Sequence, residues 1–130
     1  NQAQNALGYM YRRGVGVARD YVEAALWYEL ASQQGNVEAK NRLSWLLAGC
    51  PTQKVCNGEL AVRLAKEAVA AEDKPGYLDS LASAYARVGE FDLAVTTVQS
   101  ALDALPNDGR QRAGFERRLR SYQQRKPFQL

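Results

Sequence analysis

The feature that most restricts the fold of this chain is an internal repeat. Residues 3–11 align with residues 39–47 at a period of 36, and a third copy occupies residues 78–85. Each copy has a leucine, then a small residue, then a large residue three positions further on. Steps of three or four residues return to one side of a helix, so each copy predicts a helix with one position kept small for a close neighbour. The small positions are Gly8, Ser44 and Ala82.

A second motif follows each copy and predicts a second helix. Its residues fall on one helical face, with alanine where a partner helix packs. The three sets are Ala24, Trp27, Tyr28 and Ala31; Ala61, Leu64, Ala65 and Ala68; and Ala94, Thr97, Val98 and Ala101. The repeating unit is therefore a pair of helices. Helices are predicted at 1–13, 20–34, 37–49, 58–71, 76–88, 91–104 and 109–124, with no sheet.

Spacing and glycine positions predict the turns. The leucine of the first motif precedes the first alanine of the second by 17, 18 and 13 residues in the three pairs, so the first two pairs have a longer internal loop. Gly14 and Gly16 fall in the first such loop, where a positive φ suits glycine. Asp20 followed by Glu23 is typical of a capping box that starts a helix. Gly8 lies inside a helix, which predicts close approach of the neighbouring helix.

Composition excludes several classes of function. The 130 residues are enough for one domain, and they contain no histidine and only two cysteines, so the usual zinc ligand sets and histidine acid–base chemistry are excluded. The chain has no phosphate-binding glycine motif, no hydrolase nucleophile motif and no apolar run that could span a membrane. We therefore expect no catalytic residue, no metal and no cofactor.

These motifs resemble two related repeat families. Residues 7–36 resemble a Sel1-like repeat, through an L-G-x-M-Y pattern, a G-x-G-V loop and a W-Y pair, and residues 77–106 resemble a tetratricopeptide repeat. The resemblance implies an all-α solenoid of three antiparallel helix pairs, two Sel1-like and one tetratricopeptide, plus a C-terminal capping helix. In this division, repeat one is 1–36, repeat two is 37–73, repeat three is 74–106, and the capping helix and tail are 107–130.

The resemblance also implies a function. Such repeats form a concave surface that binds a protein or peptide, so we expect a non-catalytic interaction module with an adaptor or assembly role, of the kind found in bacteria. The family geometry places these residues on the concave face: Asn5, Tyr9, Arg12, Arg13, Glu38, Asn41, Trp45, Asp79, Ser83 and Arg87. A core position for Tyr9 and Trp45 is an equal alternative. The alternative function is a structural or regulatory domain that packs within a larger enzyme or secretion machine.

Cys50 and Cys56 bracket the loop that replaces the glycine loop in repeat two, with Cys50 aligned to Gly14. A disulfide between them is favoured over two free buried thiols. A disulfide would favour a periplasmic or secreted protein, and free thiols a cytoplasmic one. The sequence also begins inside a patterned segment, so we expect a fragment of a longer protein. A removed signal peptide is the alternative.

The last segment is basic. Residues 107–130 hold seven Arg or Lys against two acids, whereas the whole chain has a net charge of only +3. Phe115, Leu119 and Tyr122 share one face of the predicted helix, which suits a cap on the last open edge of a repeat stack. We therefore expect a solvated basic face on a capping helix rather than a nucleic-acid site.

Overall fold

The computed structural model describes residues 2–14, 20–106 and 109–130. These residues form seven α-helices: α1 (Gln2–Arg13), α2 (Tyr21–Gln33), α3 (Val37–Gly49), α4 (Gly58–Ala71), α5 (Pro75–Arg87), α6 (Phe91–Asp103) and α7 (Arg110–Gln123). Each bound lies within one residue of the prediction, so the helical pattern is confirmed. An isolated bridge between Thr52 and Val55 is the only β-type pairing in the described ranges. No described helix is long and apolar enough to cross a bilayer.

The helices pack in the order of the chain. α1 packs on α2, α3 on α4 and α5 on α6, while α3 also packs on α5 and α7 packs on α6. The alanines of the second motif are fully buried at these interfaces, among them Ala24, Ala61 and Ala94. One apolar cluster joins the first two pairs, and a second joins α5, α6 and α7. The described residues therefore form an all-α array of seven helices packed in the order of the chain.

The small residue of the first motif lies where each pair comes closest. A Cβ placed on Gly8 would lie 2.5 Å from Cδ1 of Tyr28, so only glycine fits there. Ser44, the equivalent residue of the second pair, is fully buried and donates a hydrogen bond of 2.8 Å to the carbonyl of Ala61. Ala82 is fully buried in the third pair. The helical glycine is thus explained by close packing of α1 on α2.

The first two pairs have the longer internal loops that the spacing predicted. Gly14 ends α1 with φ of +73°, and Cys50 ends α3 with φ of +44°, so the aligned residues both adopt left-handed conformations. Gly16 lies outside the described residues. Asp20 caps α2 by accepting hydrogen bonds from the amides of Val22 and Glu23. The capping box itself is not closed, because the amide of Asp20 donates to the carbonyl of Tyr11 instead.

The loop between α3 and α4 is closed by a disulfide. Cys50 and Cys56 are bonded, with their Cα atoms 4.4 Å apart. Val55, inside this loop, is buried in the core between the first two pairs. The amide of Asn57 donates to the carbonyl of Leu47, which fixes the end of the loop against α3. The loop between α3 and α4 is therefore fixed by a disulfide, by the burial of Val55 and by a backbone hydrogen bond.

Helix α7 covers the exposed edge of the third pair. Phe115 and Tyr122 are buried against α5 and α6, and Leu119 is partly buried in the same cluster. The basic residues are not all on a solvated face, which corrects the sequence expectation. Arg112 donates to the carbonyl of Leu102, and Arg118 turns toward α5. One side of α7 thus caps the array while two of its cations point back into the protein.

Candidate functional site

The odd-numbered helices together line a cavity of about 360 Å³, which we call the arginine pocket. Its walls carry three arginines, two aromatic rings and a single carboxylate. The lining residues are Arg12 from α1; Asn41, Arg42 and Trp45 from α3; Gly76, Asp79 and Ser80 from α5; and Gln111, Phe115 and Arg118 from α7. Every lining residue lies on the first helix of a pair or on α7. The fold therefore brings these helices to one common face.

The carboxylate of the pocket is already paired. Nε and Nη2 of Arg118 donate to the two carboxylate oxygens of Asp79 at 2.9 and 2.8 Å, a bidentate arrangement. Asp79 is 5% exposed, and burial raises its pKa above the ordinary value of 3.8, although the Arg118 guanidinium acts in the opposite direction. This pair fixes α7 to α5 and leaves no spare negative charge in the pocket.

Arg12 and Asn41 have unused hydrogen-bonding groups. Nε of Arg12 is buried without a partner, and Arg12 makes no ion pair with any residue that the structure describes. The Oδ1 atom of Asn41 is likewise buried without a partner among the described residues. Arg42 pairs with the exposed Glu38 at 2.6 Å, outside the pocket. The pocket therefore combines an unneutralised cation with an unsatisfied carbonyl acceptor.

Tyr28 forms part of the support beneath these arginines. Its ring is fully buried between α1 and α2, and its hydroxyl lies beside the guanidinium groups of Arg12 and Arg42. Burial raises the pKa of Tyr28, while the two arginines partly oppose that effect. Tyr28 therefore stays neutral near pH 7 and does not neutralise either cation.

The aromatic wall of the pocket is a stack around Trp45. The ring of Phe128 lies 4.2 Å from the Trp45 ring, measured between centroids. The Arg118 guanidinium carbon lies 5.0 Å from the centroid of the Trp45 ring and 5.5 Å from that of Phe115, within cation–π range. Trp45 is therefore a half-buried residue that packs against Phe128 and Arg118 and belongs to neither buried core cluster.

Nine of the ten predicted concave-face residues fall into three groups in the structure, and Arg13 belongs to none of them. Arg12, Asn41 and Trp45 line the arginine pocket. Asn5, Tyr9 and Glu38 line a neighbouring cavity of about 330 Å³ that shares Arg42 with it, and Nδ2 of Asn5 donates to Glu38. The exposed Arg13 lies over the Tyr9 ring and lines neither cavity.

The third group, Asp79, Ser83 and Arg87, is covered by the chain itself. Asp79 is paired with Arg118, and the hydroxyl of Ser83 is fully buried against the hydroxyl of Tyr122 at 3.0 Å. Arg87 donates to backbone carbonyls of α3 and of the last residues. In this arrangement none of the three is available to a partner, because α7 and residues 126–130 occupy the same side of α5.

Sequence reasoning missed the two arginines that complete the pocket. Arg42 follows Asn41 directly, but the repeat alignment places Ala6 at the matching position of the first pair and so gave no signal for a polar site. Arg118 was part of the basic run assigned to solvent. Its position four residues before Tyr122 on the same helical face was the available signal that it points inward.

The comparisons with known proteins bear on the first helix pair. The Sel1 repeat family model matches residues 1–36. The first helix pair is therefore similar to a Sel1 repeat, and the match covers 36 of the 130 residues of the chain. Sel1 repeat domains are generally protein-interaction scaffolds and are typically non-catalytic. No curated protein and no solved structure matches the chain. Across the part of the chain that the structure describes, no group of three acidic or cysteine residues could hold a metal ion.

Proposed function

We propose that this chain is a non-catalytic interaction module that binds an extended peptide carrying an acidic residue in the arginine pocket. The observation that carries the proposal is the combination of Arg12 and Asn41 in one cavity, because each has a buried polar atom without a partner among the residues that the structure describes. Buried polar groups are normally satisfied, so each unsatisfied one needs an explanation, and the proposal explains these two by a ligand that pairs with both. A peptide supplies both complements, since a carboxylate pairs with a guanidinium and a backbone N–H donates to an amide carbonyl.

The surrounding charges support an acidic ligand. Of the three guanidinium groups in the pocket, that of Arg118 is paired with Asp79 and that of Arg42 with Glu38, which leaves Arg12 without an ion pair among the described residues. An excess of positive charge in a cavity attracts ligands of the opposite sign and speeds their association. Trp45 adds an aromatic surface beside the cations, the type of side chain that contributes strongly to binding at interfaces.

We extend the repeat assignment to the rest of the chain as part of this proposal. α3 and α4 are taken as a second Sel1-like repeat, because Cys50 and Gly14 are aligned and both adopt left-handed conformations. α5 and α6 are taken as a tetratricopeptide repeat, because their connection is shorter. The disulfide between Cys50 and Cys56 supports an oxidising compartment.

Selection from a library of nine-residue peptides tests the proposal. The wild-type chain should enrich peptides with Asp or Glu, and replacing that acid by its amide should weaken binding by about tenfold. Arg12→Glu should abolish the enrichment. The matched control is Arg63→Glu, a charge reversal on α4 at an exposed residue that does not line the arginine pocket. Equal loss of binding in both variants, with unchanged melting temperatures, would reject the pocket as the site.

A second candidate function follows from the covered side of α5. The chain buries Asp79 and Ser83 beneath its own α7, so the same face also serves intramolecular packing. In this alternative the repeats are a structural domain of a larger protein and bind no external peptide. A well-folded chain that selects no peptide at all would favour this alternative.

A further inference from the structure

Residues 126–130 cross the groove in the manner of a bound peptide. They follow α7, pass the end of α5 and reach the end of α3 without regular secondary structure. The amide of Leu130 donates to the carbonyl of Gly49 at 2.9 Å. The side-chain amide of Gln129 donates to the carbonyl of Cys50 at 2.7 Å. Hydrogen bonds through backbone groups are typical of a groove that recognises an extended peptide.

Arg87 connects this segment to the helix array. Its Nε donates to the carbonyl of Ala48 at 2.7 Å, and its Nη2 donates to the carbonyl of Phe128. Both acceptors are neutral, and partial burial lowers the pKa of Arg87. The guanidinium therefore acts here as a fixed pair of donors that orients a peptide carbonyl, and it does not serve as an ion-pair partner.

Two side chains of the segment contact α3, although Leu130 remains 38% exposed. The Phe128 ring stacks on Trp45, and Leu130 lies against Gly49. A Cβ on Gly49 would lie 2.7 Å from Cγ of Leu130 and 3.0 Å from the Phe128 ring. All three of the nearest atoms to such a Cβ belong to the segment. The absence of a side chain at Gly49 thus creates the space for these two residues.

We propose that Trp45, Gly49 and Arg87 form a second binding site, specific for an extended aromatic-x-leucine sequence, and that residues 126–130 occupy it as an intramolecular ligand. The contacts come from one aromatic ring, one leucine side chain and backbone groups, so a peptide of the same pattern from a partner makes the same contacts. A tethered ligand acts at high effective concentration, and a partner peptide must therefore compete with it. This Phe128 site shares Trp45 with the arginine pocket, but Gly49 and Arg87 do not line that pocket and the ligand chemistry is different.

The test measures binding of a fluorescent KPFQL peptide, the sequence of residues 126–130, prepared with a C-terminal amide. Phe128→Ala with Leu130→Ala in the full chain empties the site. This double variant should bind KPFQL at least about tenfold more tightly than the wild-type chain does, because the competing segment is gone. A KPAQA peptide is the matched control and should not bind. Adding Gly49→Ala to the double variant should abolish binding of KPFQL.

The outcomes separate this proposal from its competitors. A folded double variant that ignores KPFQL, or binds KPAQA equally well, overturns the proposal. A wild-type dimer that dissociates in the double variant also overturns it, because the occupant would then be the segment of a second copy. Neither peptide contains an acid, so failure here leaves the proposed arginine pocket untested and unaffected.

A second variant covers the case in which the double variant does not fold. Gly49→Ala alone keeps the natural segment but removes its space. Trypsin should then cleave after Arg125 several-fold faster than in the wild-type chain, because residues 126–130 no longer hold that region in place. An unchanged cleavage rate would overturn the proposal.

Discussion

The Asp79–Arg118 pair is the individual contact with the largest consequence in this molecule. It buries a carboxylate between α5 and α7 and satisfies both of its oxygens. Removing charge from water costs several kcal/mol, and the bidentate geometry offsets that cost only while both partners are present. The pair therefore adds little net stability but makes each partner dependent on the other.

Arg118→Ala should destabilise the chain by about 3–5 kcal/mol, because it leaves the Asp79 carboxylate buried without a partner. Arg117→Ala is the matched control, since Arg117 is the exposed neighbour on the same helix. Chemical unfolding at about pH 7 measures both variants. Similar free energies of unfolding for the two would show that the buried pair does not anchor α7.

The same variant has a defined pH dependence. The pKa of Asp79 is raised above 3.8 in the folded chain, so at pH values between the unfolded and folded pKa the folded chain binds more protons. Proton binding by Asp79 therefore stabilises the folded chain. This contribution is fully present below the pKa that Asp79 has in the unfolded chain, and it is lost as the pH rises through the pKa that Asp79 has in the folded chain. Removing Arg118 raises the folded pKa further. The penalty of Arg118→Ala should therefore be smaller at about pH 4.5 than at pH 7, and an equal penalty at both would contradict this.

The buried alanines of α6 make a second prediction at the residue scale. Ala94 and Ala101 are fully buried against neighbouring helices, so Leu at either position should overpack the interface and cost about 1–3 kcal/mol. Ala70→Leu, at an exposed position of α4, is the control. Thermal unfolding compares the three. Unchanged stability of both α6 variants would mean that the helix pairing is misassigned.

Among the elements, the loop between α3 and α4 is the one that departs most from the first pair. A cysteine takes the left-handed position that Gly14 takes after α1, and the disulfide closes the loop across six residues of separation. The loop also adjoins the Phe128 site, because Gln129 donates to the carbonyl of Cys50. Its conformation therefore bears on both the core and the groove.

Replacing both cysteines by serine should lower the free energy of unfolding by about 2 kcal/mol, because a short closed loop restricts the unfolded chain only moderately. Val55 should keep the loop near its position, since it is buried in the core. Denaturant unfolding of the oxidised wild-type chain and the double serine variant gives the difference. A thiol titration that finds two free thiols in the natural, unreduced chain would contradict the bond.

Sequence periodicity predicted the elements well because helix pairs bury a repeating face. The alanines and the residues equivalent to Gly8 recur in every pair at helical spacing within each motif, so each copy predicts the same local packing. Residues 126–130 gave no such signal, since they have no period and their contacts lie far away in sequence, at Trp45 and Gly49. Arg118 was missed for a related reason: its partner, Asp79, lies on a different helix and is not implied by charge composition.

At the scale of the whole molecule, the net charge is small, although positive charge is concentrated in the arginine pocket. The chain carries +3 overall, yet the arginine pocket gathers three guanidinium groups around one carboxylate. The concentration arises because α1, α3, α5 and α7 present residues to the same face, although they are distant in sequence. We interpret this face as two neighbouring peptide sites, the arginine pocket and the Phe128 site.

The most direct test of the proposed binding face uses the two tryptophans as reporters. Trp45 lies on α3 in the arginine pocket, whereas Trp27 lies on α2 and has a buried indole nitrogen. Each gives one indole N–H signal in a nitrogen-edited NMR spectrum, so a single titration carries its own control. Addition of an acidic peptide from the selection should shift the Trp45 signal and leave the Trp27 signal in place. A shift of Trp27 with Trp45 unchanged would contradict binding on the face formed by the odd-numbered helices.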